Sequence, residues 1–381
     1  MSREARELLL DAAEEAAQHP SSHNAQPCVL CVAESPNVQA ALAAASSATA
    51  EARAFALIAL DPKRCLRTLP AHRIEMLLSV GTYLESLVVA LGARGAGARV
   101  GWVTGADVHA HARIAGLVPD GLEPIAALVV EGTIAEPLRA RAGTRRALLA
   151  RRRTDRGPFA PEPLGDRVIS SLRDVTSIAL PAEPEQTAVL MIADPAVRRA
   201  AAQLLRARGA IDFLHPAAWK ETYRHIRFTS NSEDGLPIDA LLARRVSAPR
   251  RRALSVLLSP AVMRVAGPLG LAQSMATEAS RAVEVAPLLI YLSFRDEAPS
   301  VDAQVQAGAR LQAVWLEAAA HGVALHPFSV LVQHDDLRAE LARCLNADSG
   351  RGFFFARAGR PLTDAPRAPR RAKPRERVRI I

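Results

Sequence analysis

Aromatic residues, lysines and cysteines are all scarce in this chain of 381 residues. Phenylalanine, tryptophan and tyrosine together make up 4% of it, so a core must be built largely from alanine, leucine and valine. Lysine occurs only at Lys63, Lys220 and Lys373, and the other basic residues are arginines. A hydrophobic fraction of 49% with 23% charged residues is nevertheless ordinary for a soluble globular protein, and the length allows two domains.

Several familiar signatures are also missing. The chain contains no Gly-x-Gly-x-x-Gly, Walker or His-Glu-x-x-His sequence, so dinucleotide-fold, nucleoside-triphosphatase and zinc-protease functions have no support, and no metal site is predicted. No apolar run approaches the roughly 20 residues of a membrane span. The N-terminus is charged and helical in pattern, unlike a signal peptide. We therefore expect a cytoplasmic protein that binds no membrane.

The four cysteines stand at positions 28, 31, 65 and 344, which is not a disulfide framework in a chain of this length. Cys28 and Cys31 are spaced like a redox pair, but they lie in an apolar run that predicts a strand rather than the start of a helix. Two side chains three positions apart in a strand point to opposite faces. Buried structural cysteines are the prediction, with a redox pair as the alternative.

Positive charge is concentrated at the C-terminal end. The net charge is +9, and residues 365–381 carry seven basic residues against one acidic residue. A proline-rich basic tail can bind nucleic-acid phosphates. No nucleic-acid fold signature accompanies it, so a nucleic-acid partner is only an alternative reading.

Two short segments carry most of the functional information. The first, Pro20-Ser21-Ser22-His23-Asn24-Ala25-Gln26-Pro27, is a polar loop between a predicted helix and a predicted strand. The second, Arg151-Arg152-Arg153-Thr154-Asp155-Arg156, packs arginines around a threonine. Amide side chains offer both donors and acceptors to a polar heterocycle. Guanidinium groups bind phosphate through bidentate, charge-assisted hydrogen bonds. Together the segments would suit a flavin mononucleotide, whereas taken alone they are a turn and a basic helix end.

The two segments resemble the nitroreductase superfamily of FMN-dependent oxidoreductases, which pairs an Arg-x-Ser/Thr-x-Arg motif with a Pro-Ser-x-x-Asn-x-Gln-Pro motif. Here the arginine motif follows the polar loop, about 130 residues later, instead of preceding it. That order, with Asp234-Gly235-Leu236-Pro237 in mid-chain, is most similar to the Acg-type branch, in which two family domains are fused. The resemblance implies an α+β fold of two fused halves forming an internal pseudo-dimer, each half a mainly antiparallel sheet flanked by helices.

The resemblance also implies which residues bind FMN. The arginine motif and two late arginines would hold the phosphate, the polar loop would contact the ring and ribityl chain, and the segment around Ser329 would place a backbone N–H near flavin N5. The implied cofactor-binding residues are Pro20, Ser21, Ser22, Asn24, Gln26, Arg152, Thr154, Arg156, Ser329, Arg370 and Arg371. No catalytic side chain is assigned. His23 is a possible proton donor, or a structural histidine.

A repeat supports the two-half organisation. At a fixed offset of 227 residues, Gly81, Leu84, Leu87 and Gly95 correspond to Gly308, Leu311, Val314 and Gly322. Each block is an apolar helix that ends at a glycine. Chance similarity between two alanine-rich helices is the alternative. We predict a first half over residues 1–140 and a second over 141–381.

The second half is longer than the first. The interval from its first predicted strand to its glycine helix exceeds the corresponding interval in the first half by about 67 residues, which places an insert at about 198–285. A long insert beside a cleft is a candidate lid; an insert that only decorates the surface is the alternative.

The function predicted is hydride transfer at flavin N5 between a nicotinamide or organic donor, plausibly NAD(P)H, and a small organic acceptor. The first half lacks the arginine motif and the second half lacks the Pro-Ser loop, so one FMN per chain is expected. The chain is expected to be a monomer built as an internal pseudo-dimer, or a weak homodimer. The alternative is a noncatalytic protein that binds or sequesters FMN.

Overall fold

The computed structural model describes residues 1–103, 114–119, 121–180, 186–229, 232–347, 350–364, 366 and 374–381. Its strands are β1 Cys28–Val32, β2 Ala52–Leu60, β3 Ala96–Trp102, β4 Glu123–Thr133, β5 Thr187–Ile192, β6 Ile226–Arg227, β7 Leu236–Pro237, β8 Leu288–Phe294, β9 Ala324–Pro327, β10 Gly352–Gly359 and β11 Val378–Ile380.

The helices, with short ones included, are α1 Arg3–Ala16, α2 Pro36–Ser46, α3 Ala71–Ala93, α4 Glu136–Leu149, α5 Asp166–Asp174, α6 Pro195–Arg208, α7 Ile211–Leu214, α8 Pro216–His225, α9 Ile238–Leu241, α10 Ala248–Leu257, α11 Pro260–Ala266, α12 Ala272–Glu284, α13 Val301–Ala320, α14 Val330–Gln333 and α15 Asp335–Cys344. Single 3-10 turns cover Ser22–Asn24 and Pro374–Arg377, and a π turn covers Gly267–Leu271.

Two sheets carry the same strand order. The first sheet runs β1-β2-β4-β3 and the second runs β5-β8-β10-β9, with every one of these neighbours antiparallel. In both, a long apolar helix connects the second strand to the edge strand that follows it, α3 in the first and α13 in the second. The α+β prediction is thus confirmed.

The two long helices pack against each other where the repeat predicted equivalent glycines. A Cβ atom added to Gly81 would lie 1.9 Å from the Val305 carbonyl oxygen, and one added to Gly308 would lie 2.2 Å from the Leu78 carbonyl oxygen. Only glycine allows two backbones this close. After each helix, Gly95 and Gly322 adopt positive φ angles of 83° and 69°. The predicted glycine helix ends are present in both halves.

The first strand also bears out the cysteine argument. Cys28 packs into the core on one face of the first sheet and Cys31 into the core on the other. Both side chains are buried, and burial raises the pKa of the Cys31 thiol to about 12. A thiol that stays protonated and inaccessible is a poor redox group.

One helix is more apolar than the sequence analysis predicted. Helix α3 is long and apolar enough to cross a bilayer, but 94% of its most apolar window is buried inside the protein. It is a core helix shared by the two sheets. A bent pair formed by α10 and the segment Pro260–Glu284, with a 65° bend, meets the same test when taken together.

The extra length of the second half lies between α6 and β8. In the first half, one helix, α2, connects the first two strands. In the second half, the equivalent connection continues past α6 through helices α7 to α12 and the small β6-β7 sheet. These helices have a core of their own around Trp219, Ile226 and Met263.

The C-terminal strand crosses back to the first sheet. After β10, strand β11 pairs in parallel with β1, joining Leu30 to Val378 and Val32 to Ile380. Nothing in the sequence reading predicted this strand, because the basic residues of the tail masked the short alternation that precedes Ile381. The tail therefore ties the end of the chain to its first strand.

Candidate functional site

A cavity of about 340 Å³ opens where the polar loop, the arginine motif and the two long helices meet. Its lining residues come from both sequence halves and from the insert. They are Gln18, Pro20, Ser21, Ser22, His23, Asn24, Glu75, Leu78, Ser79, Thr82, Ala150, Arg152, Arg153, Thr154, Arg156, Leu236, Leu311, Trp315, Pro327, Ser329, Val332, Phe353, Phe354 and Phe355.

The polar loop is held in an uncommon backbone conformation. His23, Asn24 and Gln26 have φ angles of 50°, 52° and 55°. Residues other than glycine rarely adopt this left-handed conformation, and those that do are concentrated at functional sites. The loop is fastened to α3 by Thr82, whose hydroxyl donates to the Pro20 carbonyl at 2.8 Å, and internally by the Gln26 N–H donating to Ser21 Oγ at 3.1 Å.

Glu75 lies in the cavity wall and connects both halves, although the sequence reading did not single it out. Its carboxylate accepts a short hydrogen bond from Ser22 of the polar loop. The other oxygen accepts from Gln333 Nε2 of α14 at 2.6 Å. It lies six residues before Gly81, and its apolar neighbours in α3 gave no sign of this role.

The amides of the polar loop bind the insert. Asn24 Nδ2 donates to the Gly235 carbonyl at 2.9 Å, and Gln26 Nε2 donates to the Glu233 carbonyl at 3.1 Å. Asn24 also lines the cavity, but Gln26 is not among its lining residues. Neighbouring Asp234 pairs with Arg227 at 2.8 Å. The insert turn therefore sits directly against the loop that the sequence assigned to the flavin.

His23 is enclosed by other polar groups of the loop and the insert. Its ring nitrogens lie 3.4 Å from Ser22 Oγ and 3.5 Å from Thr222 Oγ1, and its ring is 5.8 Å from that of His225. Burial, followed by the charges of His225, His72 and Arg156, lowers the pKa of His23 to about 3. At neutral pH the imidazole is uncharged, which favours the structural role over the proton donor.

Arg152 carries donors with no partner. Its Nη2 donates to the Gln18 carbonyl at 3.2 Å, and its guanidinium lies 5.0 Å from the centre of the Trp315 ring. Among the described residues, buried Nε and Nη1 of Arg152 have no hydrogen-bond acceptor. Burial lowers the pKa of Arg152 to about 10, so it remains cationic at neutral pH. Unsatisfied buried donors of a cation are costly, and an anion in the cavity would satisfy them.

The rest of the arginine motif is fixed to the second sheet. Thr154 forms a parallel bridge with Leu325, and the Asp155 N–H donates to the Leu325 carbonyl at 3.1 Å. Arg357 of β10 donates from Nη2 to the Gly157 carbonyl at 2.7 Å and stacks 4.3 Å from the Phe159 ring. Arg156 lines the cavity, and burial lowers its pKa to about 10.

The remaining assignments divide in two. Ser329 lines the cavity at the junction of β9 and α14. Arg370 and Arg371 lie outside the described residues. Their described neighbour Arg377 donates to the Gln26 carbonyl at 2.6 Å, so the tail reaches the base of the polar loop.

Three further residues shape this site without a sequence signal strong enough to find them. Trp315, Arg357 and Glu75 each stand inside an apolar run that predicts only a core helix or strand. Within the described residues, no group of three or more potential metal-ligating side chains comes together.

No family model matches the chain. It is 28% identical over 317 residues to PigM of a Serratia species, a protein named as an NAD(P)H nitroreductase, and the match covers 83% of this chain and 82% of PigM.

Among solved structures, a protein of Anabaena variabilis described as a nitroreductase matches 90% of this chain and 82% of its own, with a TM-score of 0.54 and 11% identity. The FMN-dependent nitroreductase NfnB of Mycobacterium smegmatis matches 60% of this chain and 95% of its own, with a TM-score of 0.37 and 18% identity. The Anabaena likeness extends over both sheets and shows the fold.

Proposed function

We propose that this chain is a member of the nitroreductase superfamily and an FMN-dependent oxidoreductase that takes electrons from NAD(P)H. The observation that carries the proposal is the convergence of the polar loop and the arginine motif on one cavity, where Arg152 keeps two unsatisfied buried nitrogens. PigM, the Serratia relative, is named as an NAD(P)H nitroreductase, and NfnB is named as FMN-dependent.

The cavity fits such a coenzyme in size and chemistry. Its volume of about 340 Å³ falls within the range of small-molecule sites. One end is cationic, with Arg152 and Arg156, and suits a phosphate. Phe353, Phe354 and Phe355 line an apolar part of the cavity that suits a flat ring.

In this assignment Arg152, Thr154 and Arg156 bind the phosphate, and Arg370 and Arg371 complete its neutralisation from the tail. Arg357 is a positioning residue, because it holds the carbonyls of the arginine motif rather than facing the cavity. The cation–π contact with Trp315 fixes the direction of the Arg152 guanidinium before any ligand arrives.

The ring end belongs to the polar loop and to β9. Pro20, Ser21, Ser22 and Asn24 would contact the ring or the ribityl chain, and the backbone near Ser329 would approach the reactive edge. Gln26 keeps a supporting role in this proposal, since its amide reaches the insert and not the cavity.

Bound FMN supplies hydride transfer at N5, from the nicotinamide to a small organic acceptor. The chain's own residues bind and orient, and none of them needs to act as an acid or base. His23 stays neutral over the physiological range because its pKa is held near 3. Leu236 of the insert lines the cavity beside the loop and would limit the access of water to the reacting atoms.

The organisation we propose is an internal pseudo-dimer of residues 1–140 and 141–381, with one FMN per chain and the insert as a lid. The matched strand orders and the glycine contact between α3 and α13 support it. The fused arrangement is also what the Acg-type branch would have.

A second function has one observation in its favour. The insert turn is already hydrogen-bonded to Asn24 and Gln26, which suits a protein that encloses FMN and stores it. An anaerobic assay separates the two functions: a catalyst loses its flavin absorbance when NADH or NADPH is added, whereas a store keeps it.

The test of the binding site is the FMN content of purified protein. We expect one FMN per chain in the natural sequence, and a loss of affinity of at least about 100-fold in R152A/R156A, since each charge-assisted contact contributes about 1.5–3 kcal/mol. Arg151→Ala is the matched control, because Arg151 is exposed and does not line the cavity. Equal FMN affinity in the double variant and the control would refute the assignment.

A further inference from the structure

The insert exposes apolar side chains at one place. Val256, Leu257, Val265 and Leu269 are 64%, 42%, 63% and 83% exposed, and they lie within fourteen residues of sequence on α10, α11 and the π turn. We call these four residues the outer face of the insert. The other large exposed apolar residues of the described chain lie outside this stretch of sequence; Leu214 and Leu242 belong to the insert, whereas Leu138 and Leu362 do not. Single exposed apolar residues need no explanation, but a cluster does.

The inner face of the same helices already has its core. Leu254, Leu258, Met263 and Leu271 pack on Trp219 and its neighbours. The outer face is therefore additional apolar surface, and no described residue covers it. Exposed apolar clusters of this kind mark sites of contact with a protein partner or a membrane.

Two side-chain hydrogen bonds fix the bend between α10 and α11, where this face lies. Trp219 Nε1 donates to the Leu258 carbonyl and Tyr223 Oη donates to the Ser255 carbonyl, each at 2.8 Å. These bonds satisfy carbonyls that a helix end would otherwise leave unpaired. Leu269 then stands in a turn where Gly270 has a φ of 114°, so the most exposed leucine projects from a tight corner.

The charged residues in this stretch of sequence have one sign. Residues 240–277 contain six arginines and no acidic residue. Arg251 is paired with Asp239 at 2.7 Å. The other five are exposed, and they are Arg244, Arg245, Arg250, Arg252 and Arg264. An exposed apolar strip with arginines beside it is the pattern of a helix that lies in a membrane interface.

We infer that the outer face of the insert docks the protein on an anionic lipid bilayer. Val265 and Leu269 enter the boundary between headgroups and acyl chains, and the five arginines contact the lipid phosphates. A second copy of the chain fits this face poorly, because a two-fold contact would bring the same arginines together. The inference departs from the expectation that no membrane is involved, and it does not depend on the proposed chemistry.

The experiment is co-sedimentation of the full chain with vesicles. Vesicles of phosphatidylcholine alone are compared with vesicles that also contain phosphatidylglycerol, first at about 0.1 M salt and then at about 1 M, where the screening length falls to about 3 Å. We expect binding only to the anionic vesicles and its loss at high salt. Three substitutions together, R250Q/R252Q/R264Q, should weaken binding by about 100-fold.

Two variants test the apolar part. Leu269→Glu should weaken binding at least about tenfold. Leu138→Glu is the matched control, because Leu138 is 43% exposed on α4, outside the insert. Thermal unfolding and FMN content should match the natural protein in all of these variants. Failure of the natural chain to bind anionic vesicles, or equal binding to neutral ones, would overturn the inference. So would a dimer that dissociates on Leu269→Glu.

Discussion

The two halves of the molecule share a strand order but differ in the segment that leads into the first strand of each sheet. Before β1, the polar loop at 20–27 turns side chains toward a cavity and keeps a strained backbone. Before β5, residues 175–180 are fastened to the central helix α3 by the buried carboxylate of Glu85. The same position in a shared topology therefore lines a cavity in one half and packs against the core in the other.

The polar loop and residues 175–180 differ in the partners of their hydrogen-bond donors. Glu85 accepts from Ser177 Oγ at 2.6 Å, from the N–H groups of Ile178 and Ala179 at 2.9 Å, and from Arg145 at 2.9 Å. Ile178 and Leu180 then pack against the first core. With its donors satisfied and its side chains in the core, this segment leaves nothing to offer a coenzyme. A second FMN site is thus disfavoured on physical grounds as well as by motif.

The largest effect we predict comes from removing Glu85. Glu85→Ala leaves Arg145 buried without its counter-charge and should lower the free energy of unfolding by about 3–5 kcal/mol. The repeat offset of 227 places Gln312 at the matching position in α13, where it donates to Ser86 Oγ at 2.9 Å. Gln312→Ala removes a neutral hydrogen bond and should lower the free energy by about 1–3 kcal/mol.

Denaturant unfolding of both variants measures the difference. A larger loss for Gln312→Ala than for Glu85→Ala would mean that the two halves are not specialised as described. In either variant the FMN content per folded chain should stay at one.

Much of this fold could be predicted from the sequence where apolar patterning was strong. The strand predicted around Cys28 and Cys31 is β1 Cys28–Val32, and the apolar helix predicted to end at Gly95 is α3 Ala71–Ala93. The glycine offset found the one place where the two long helices touch most closely. These features succeed because periodicity and glycine requirements are local properties of the chain.

The rest depended on contacts that no local pattern encodes. Glu75 joins the polar loop to α14 over 258 residues of sequence separation from Gln333, and β11 pairs with a strand at the other end of the chain. Asn24 and Gln26 match the flavin motif by type, yet their amides meet the insert, which the motif cannot anticipate.

The second largest predicted effect is a loss of stability on replacing Gly81 or Gly308, and it should be equal in the two halves. Gly81→Ala and Gly308→Ala each bring a Cβ atom within 2.2 Å of a facing carbonyl oxygen, so the helices must separate. We expect a loss of about 2 kcal/mol for each after the gain in helix propensity is subtracted.

Gly143→Ala is the matched control for this pair. Nothing lies within 4 Å of its added Cβ in α4, so it should be neutral or stabilising by up to about 1 kcal/mol. Unequal responses of Gly81 and Gly308 in thermal unfolding would show that the crossing is not symmetric.

Acid should destabilise the polar loop at 20–27 more than residues 175–180, its counterpart in the second half. His23 has a pKa near 3 in the folded protein and about 6.5 when unfolded, so its neutral form is favoured by folding. The contribution of neutral His23 to the free energy of unfolding is fully present above pH 6.5. It is lost as the pH falls toward 3, at about 1 kcal/mol per pH unit. Residues 175–180 contain no histidine, so no side chain of that segment titrates in the same pH range.

The variant for this prediction is His23→Asn, since asparagine tolerates the left-handed φ of 50°. Unfolding measured between about pH 7 and pH 5 should depend less on pH in the variant by about 1 kcal/mol per unit. Glu15, with a pKa near 2, titrates at lower pH and does not interfere. An unchanged slope would place the acid sensitivity elsewhere.

The smallest effect should come from Gln26, and it decides whether the whole polar loop faces the coenzyme. In Gln26→Asn the φ of 55° stays acceptable, but the amide becomes one carbon too short to reach the Glu233 carbonyl 3.1 Å away. Losing one hydrogen bond of about 1 kcal/mol should raise the open population of the insert turn about fivefold, and trypsin cleavage after Arg227 should accelerate by that factor. Gln39→Asn removes a comparable amide bond, to Ala33, away from the insert and should change neither quantity. If FMN affinity falls while the cleavage rate stays constant, Gln26 contacts the coenzyme as the family motif implies. If cleavage accelerates and FMN stays bound, the two amides of the loop have different roles, because Asn24 lines the cavity and Gln26 holds the insert against the loop.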